Sequence, residues 1–198
     1  GESMLSSISP FGERSRNNRW WLTTTAYVAG SVSGGATTGL GFGLFGEVLA
    51  PAPEGGLVIL ALAGIMGLAA DLGVAGARLP SWHRQVNEDW LTTYRGWVYG
   101  LGFGFQLGLS WATIVTTSAV WLTWLSVVLA GSWSWGVVVG TFFGLVRGSL
   151  ILAAVHVDDP SRLRALFRSI EARAPSVQRA AVVAVGLVAV TAIVGLGS

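Results

Sequence analysis

Cysteine is absent from the 198-residue chain, and so is lysine. Without cysteine there can be no disulfide, no thiol redox couple and no thiolate metal ligand. Charge of either sign is scarce, at 11% of residues, where soluble domains carry about 25%. The runs from Trp20 to Gly46 and from Gly96 to Val146 contain no charged residue at all, and about 20 apolar residues suffice to cross a bilayer. What fills the chain instead is 52% hydrophobic residues, with a mean hydropathy of +0.62. These features exclude a soluble domain and give an all-α, polytopic integral membrane bundle whose first partner is the lipid bilayer. The net charge of +2 comes from arginines between apolar runs, so a nucleic-acid partner is not expected. No apolar run that would mark a cleaved signal peptide is legible in residues 1–18.

Five apolar segments read as spans, at roughly 20–49, 56–77, 96–130, 133–155 and 180–197. Arginine distribution orients them. Arg14, Arg16 and Arg19 precede the first span, Arg78, Arg84 and Arg95 separate the second and third, and Arg162, Arg164, Arg168, Arg173 and Arg179 separate the fourth and fifth. The intervening turns, "APAPEGG" and "AGSWS", carry none. The positive-inside rule then places the N-terminus in the cytoplasm of a multi-pass protein of the cell membrane. Segment 96–130 would measure roughly 50 Å as one straight helix, against about 30 Å of hydrocarbon. It is expected to make one bent or interrupted pass, since two passes would turn the later arginines outward.

Two stretches read as amphipathic interfacial helices. In one, Asp159 and Pro160 open a helix whose stripe of Leu163, Leu166, Phe167, Ile170 and Ala174 faces arginines. In the other, Ser81 is the cap and Trp82, Val86, Trp90 and Tyr94 follow four apart. Packing of such helices on a neighbouring subunit is the alternative. Similarities about 78 residues apart suggest two parallel pseudo-repeats: Arg19-Trp20-Trp21 with Arg95-Gly96-Trp97, Gly67-Leu68 with Gly144-Leu145, and Pro80-Ser81 with Pro160-Ser161. The expected division is a cytoplasmic segment 1–18, a first repeat 19–94, a second repeat 95–178 and a C-terminal span 179–198.

The segment "GWVYGLGFGFQLG" places Gly96, Gly100, Gly104 and Gly108 four apart, and Gly136, Gly140, Gly144 and Gly148 repeat the spacing in the fourth span. Residues four apart share a helix face. In lipid, where no hydrophobic drive joins helices, such strips permit close backbone packing. Hinges, or unwound backbone facing a substrate, are the alternative. Tryptophans at 20, 21, 97, 133 and 135 stand at span ends as interfacial anchors.

A few polar residues stand where lipid makes them costly. Asp71 and Arg147 fall at similar depths in the second and fourth spans and are expected to lie within salt-bridge reach. They would form a clasp, a gate or a substrate contact; snorkelling of Arg147 to the interface is the other choice. Gln106 sits mid-span, with Ser31, Ser33, Thr37 and Thr38 as hydrogen-bond candidates, and Ser110 and Thr113 extend a polar trail beyond it. These residues form either interhelical bonds or a pathway. His83 and His156 lack metal-ligand spacing, and no nucleophile elbow or phosphate-binding loop occurs. No catalytic residue, metal or cofactor is therefore expected.

"YVAGSVSGGATTGL" and "GFGFQLGLSWATIV" resemble the repeat-opening helices of CcdA/DsbD-type membrane electron carriers of the LysE superfamily. That family follows each such helix with a proline-cysteine break. The corresponding places, near Thr37-Thr38 and from Ser110 to Thr113, hold neither residue, so its thiol chemistry does not carry over. Its repeats are also inverted three-span units, where these read as parallel. The resemblance implies a broken-helix translocation fold. The expected function is a small transporter or channel-like translocator, with its pathway near Gln106, the first-span serines and threonines, and the Asp71–Arg147 pair. The alternative is a non-catalytic scaffold subunit, its glycine strips docking other membrane subunits or a second copy in a homo-oligomer.

Overall fold

The computed structural model describes residues 8–49, 53–74, 93–109 and 117–196. Among the described residues the fold is all-helical: α1 (Pro10–Ser15), α2 (Trp20–Leu49), α3 (Pro53–Asp71), α4 (Gly96–Gly108), α5 (Ser118–Ala130), α6 (Trp133–Ser149) and α7 (Pro160–Leu196), with a 3₁₀ segment Leu150–Ala154 after α6.

The central helix is α2, and its two glycine rows explain why. Gly30 and Gly34 face the backbone of α4 at Leu101 and Phe105, while Gly35, Gly39 and Gly43 face α6. A side chain at any of these positions would collide with a carbonyl of the neighbouring helix; at Gly43 a Cβ would stand 2.7 Å from the Ser132 oxygen. Contact is reciprocal. Gly39 lies on the Gly136 carbonyl and Gly136 on that of Gly39, and Gly35 and Gly140 are paired the same way. This close approach brings Cα–H groups onto carbonyl oxygens, a weak but recurrent attraction between helices.

The same contacts give helix direction. Gly100, Gly104 and Gly108 of α4 meet Thr23, Tyr27 and Ser31 of α2 in rising order, so the two helices run parallel. Further along α2, Phe42 stacks on Trp124 and Gly46 meets Val128, so α5 continues in that direction. The described residues of segment 96–130 thus include two helices of 13 residues each laid in tandem along α2. Gly131, in the left-handed conformation (φ 55°), then ends α5, and α6 returns antiparallel. On the far side, Gly64 of α3 meets Ala189 of α7 and Leu57 meets Gly195, which makes α3 and α7 antiparallel.

Among the described residues, three helical stretches are long and apolar enough to cross a membrane: Glu54–Asp71, Trp133–Ala154 and Pro160–Leu196. This is fewer than the five expected. In α2, glycine, serine and threonine dilute the apolar residues, whereas α4 and α5 reach only about 20 Å each. Large apolar side chains point outward, including Met66, Phe142 and Val194, while glycines line the contacts of α2 beside a buried cluster of Ile8, Tyr27, Tyr99, Phe103 and Ile151. An outer surface that apolar is consistent with a membrane protein.

Two expectations about the flanks change. The stretch beginning at Asp159 is not a helix separate from the C-terminal span, because α7 runs unbroken from Pro160 to Leu196 through Pro175. Proline removes only one backbone donor, and a helix can tolerate it with a bend. The other amphipathic stretch, with Ser81, Trp82, Val86 and Trp90, lies outside the described residues. Trp20 is not an interfacial anchor either. It is buried and its indole N–H donates to the Ile8 carbonyl at 2.8 Å, whereas Trp21, Trp97, Trp133 and Trp135 are exposed.

Candidate functional site

The most concentrated polar chemistry lies where α1 meets the first turns of α2 and α4. Ser9 caps α1 by accepting from the Gly12 amide at 3.1 Å, and Pro10 takes the first helical position. Asn17 then adopts the left-handed conformation (φ 57°) that asparagine tolerates, and the Asn18 amide returns to the Glu13 carbonyl at 2.9 Å. This short helix and turn place Glu13 inside the protein, fully buried.

The Glu13 carboxylate is well supplied with donors. Arg16 Nη2 donates to Oε1 at 2.6 Å, the Tyr99 hydroxyl donates to the same oxygen, and Thr23 Oγ1 donates to Oε2 at 2.7 Å. Asn18 Nδ2 donates in turn to the Tyr99 oxygen at 3.3 Å. Gly96 makes the assembly fit, because a Cβ there would stand 2.5 Å from Thr23 Oγ1 and 3.2 Å from Glu13 Oε2. Burial works to lower the Arg16 pKa, but the hydrogen bond to Glu13 and the neighbouring Tyr99 outweigh it and leave the pKa raised. The guanidinium thus stays charged opposite the carboxylate. A neutralised, hydrogen-bonded buried charge of this kind fixes three segments in one arrangement.

Sequence reasoning gave no role to Glu13, Thr23 or Tyr99. The available signal was Ser9-Pro10, a helix start that marks residues from 10 onward as structured.

Asp71 and Arg147 are not paired. Asp71 accepts from the Ser118 amide at 2.9 and 3.2 Å and from Ser118 Oγ at 2.6 Å. Arg147 stacks over Phe143, with its guanidinium carbon 5.5 Å from the ring centre, and has no ion pair among the described residues. The helices explain the separation: α3 packs on α5 and α7, whereas α6 packs mainly on α2.

The hydroxyls expected to meet Gln106 are bound elsewhere. Ser31 donates to the Gly144 carbonyl at 2.8 Å, across to α6. Ser33, Thr37 and Thr38 donate to Gly30, Ser33 and Gly34 carbonyls within α2. Gln106 is half-buried. Two residues beyond Gly104, it stands about 200° around α4 from the strip that touches α2. Ser110 and Thr113 lie outside the described residues.

Ser31 instead marks a three-helix junction. It is fully buried, and its carbonyl lies against both Gly108 and Gly144. Gly96 and Gly100 pack on Thr23 and Gly104 on Tyr27; Gly136, Gly140 and Gly148 pack on Gly39, Gly35 and Ser31. An apolar cleft of about 470 Å3 lies beside α2, lined by Thr37, Thr38, Gly41, Phe42, Phe45 and Leu109. No grouping of three histidine, aspartate or glutamate side chains suited to a metal occurs among the described residues; His156 is exposed and His83 lies outside them.

No family model and no solved structure matches the chain. Among curated proteins it is similar to the methylamine utilization protein MauF of Paracoccus versutus (30% identity over 152 residues), of Paracoccus denitrificans (27% over 157) and of Methylophilus methylotrophus (31% over 154). Each alignment covers 74% of this chain but 55%, 54% and 53% of the relative, so the chain spans about half the length of the curated relatives it matches. These similarities overturn the resemblance to CcdA/DsbD-type proteins. That resemblance rested on glycine spacing in two helices, a pattern that tight helix packing produces in unrelated membrane proteins.

Proposed function

We propose that this chain is a membrane-embedded component of methylamine utilization that acts by holding helices and partner subunits together, without moving a substrate. The link to methylamine rests on the similarity to proteins of that name over 74% of the chain. The mode of action rests on one observation: several polar side chains of the apolar helices are engaged either at joints between helices or within their own helix. Asp71 is engaged by Ser118, Ser31 by Gly144, and Ser33, Thr37 and Thr38 by their own helix. Glycine strips meanwhile seal the contacts of α2 with α4 and α6. A translocation pathway needs polar groups converging on a water-filled path, and Ser31, Ser33, Thr37 and Thr38 of α2 already donate to backbone carbonyls.

Five passes belong to this reading, with the N-terminus cytoplasmic and the basic loops inside. Alternating helix directions along α2, α3, α4–α5, α6 and α7 support it, as does the arginine distribution. The two-unit division at 19–94 and 95–178 belongs to the same reading, each unit opening with an arginine and a helix running the same way. Lipid and other membrane subunits are the partners.

Deletion of the gene in its own host tests the proposal. Growth with methylamine as sole nitrogen source should fail while growth with ammonium continues, and initial uptake of radiolabelled methylamine should be unchanged. Unimpaired growth on methylamine would refute the assignment to that system. Loss of uptake together with growth would restore the transport reading.

A further inference from the structure

Beside the Glu13 assembly, an open cleft of about 360 Å3 lies between the first turns of α2 and α4. Its walls carry Arg19, Arg95, Asn17, Asn18 and Trp97. The arginines hold matching positions. The Arg19 carbonyl accepts the Leu22 and Thr23 amides, and the Arg95 carbonyl accepts those of Val98 and Tyr99, so each is the residue that opens its helix. Both side chains are exposed, and neither has an ion-pair partner among the described residues. The nearby carboxylate, Glu13, lies behind Gly96 and Thr23 and is engaged by Arg16, Tyr99 and Thr23.

We propose that this cleft binds a phosphate group between Arg19 and Arg95. Two arginines lining one cleft suit a tetrahedral oxyanion, because a guanidinium offers paired N–H donors to its oxygens. The Asn17 side chain, on the same wall, adds a neutral donor. Two parallel helices also begin here side by side, so the positive ends of both dipoles face the same space. Trp97 is exposed at the rim, as suits an indole at the headgroup level of a bilayer. A phospholipid headgroup and a soluble phosphate ester would both satisfy this chemistry. The proposal is independent of any role in methylamine utilization.

The test uses the full chain, purified in detergent and stripped of lipid, with binding read by native mass spectrometry. The probes are phosphatidylglycerol, glycerol 3-phosphate, inorganic phosphate and phosphate-free diacylglycerol. The wild type should retain a phosphate-bearing probe and not diacylglycerol. R19Q and R95Q should each weaken retention about tenfold, while R14Q, at an exposed arginine of α1 away from the cleft, should leave it unchanged. Retention of phosphatidylglycerol alone would identify a headgroup site, and competition by glycerol 3-phosphate or inorganic phosphate would identify a site for a soluble ester. Equal retention of diacylglycerol, or retention unaffected by R19Q and R95Q, would overturn the proposal. If either variant is unstable, competition on the wild type by inorganic phosphate decides the matter: lipid retention that no phosphate compound displaces, and that diacylglycerol matches, refutes it.

Discussion

Asp71, the last residue of α3, caps the N-terminus of a different helix: its carboxylate takes both the backbone amide and the hydroxyl of Ser118, the first residue of α5. A helix begins with amides that have no partner within it, and a carboxylate there also meets the positive end of the dipole. Gly67, one turn before Asp71, lets the two helices close, since a Cβ there would stand 2.7 Å from that of Ser118. D71A should therefore destabilise the protein by about 1–3 kcal/mol. In thermal unfolding in detergent, Asp71 and Ser118 variants should be strongly non-additive, whereas Asp71 and Arg147 variants should add, and a charge swap between those two should rescue nothing. Rescue by the swap would contradict the capping geometry.

The glycine strips separate positions that differ only in their surroundings. G39A and G104A place a methyl group on the carbonyls of Gly136 and Tyr27, while G41A meets nothing within 4 Å. The first two should each cost about 1–3 kcal/mol, as overpacking does. G41A should be neutral or stabilise slightly, because alanine restricts the unfolded chain more than glycine does. Thermal midpoints of the three variants in one detergent check the ordering; equal effects at all three would refute tight packing at Gly39 and Gly104.

Around Glu13 the expectation is a coupled loss. E13A leaves Arg16 without its carboxylate and Tyr99 and Thr23 without an acceptor. It should cost roughly 3 kcal/mol, the lower end for a buried pair, because the Arg16 side chain remains 25% exposed. Y99F should cost about 1–2 kcal/mol, and E13A/Y99F less than the sum. Since Trp20 holds the Ile8 carbonyl and Phe11 the Val157 carbonyl, release of α1 should appear as faster proteolysis before residue 20 in E13A. Unchanged cleavage would show that α1 is held by other contacts.

These sites were unequally legible in the sequence. Glycine spacing announces a contact face, because a residue without a side chain has few other uses in an apolar helix. Which helix it meets depends on direction and register, set jointly by several segments. That Gly30 and Gly34 turn to α4 while Gly35 and Gly39 turn to α6 follows from one step of about 100° around α2. Depth in the membrane suggested pairing Asp71 with Arg147, but depth says nothing of azimuth, and the two side chains occupy different sides of the bundle. Glu13 was hidden by composition. A short polar stretch beside arginines resembles a solvated tail, and its burial follows from Tyr99 and Thr23, remote residues that supply its donors.

Asp159 links pH to the start of α7. It accepts from Ser161 Oγ at 2.5 Å and from the amides of Ser161 and Arg162 at 2.7 and 2.9 Å. Those bonds, the Ser161 hydroxyl first, hold its pKa below the ordinary carboxylate value. A lowered folded pKa means the cap contributes fully above the unfolded value and is lost as pH falls through the folded one. Protection of the Ser161 and Arg162 amides, relative to their intrinsic exchange rates at each pH, should fall only in that acidic window. In D159N, which cannot titrate, this pH dependence should vanish; its persistence would assign the effect to another group.

The direction of the tandem helices α4 and α5 carries the most consequential expectation. Both run along α2 in the same sense, so residues 96–130 should cross the bilayer once, and the turn before α6 should emerge opposite the start of α7. The native chain contains no cysteine, so single-cysteine variants report without background. Ser134 and Ser161 are both exposed and suit this purpose. An impermeant maleimide should label S134C in intact cells, and S161C only after the membrane is opened. If segment 96–130 instead crossed twice, α6 would enter from the other face and the two labelling patterns would exchange. Exchange would also put the arginines of α7 on the outer surface, against the charge bias that orients membrane helices.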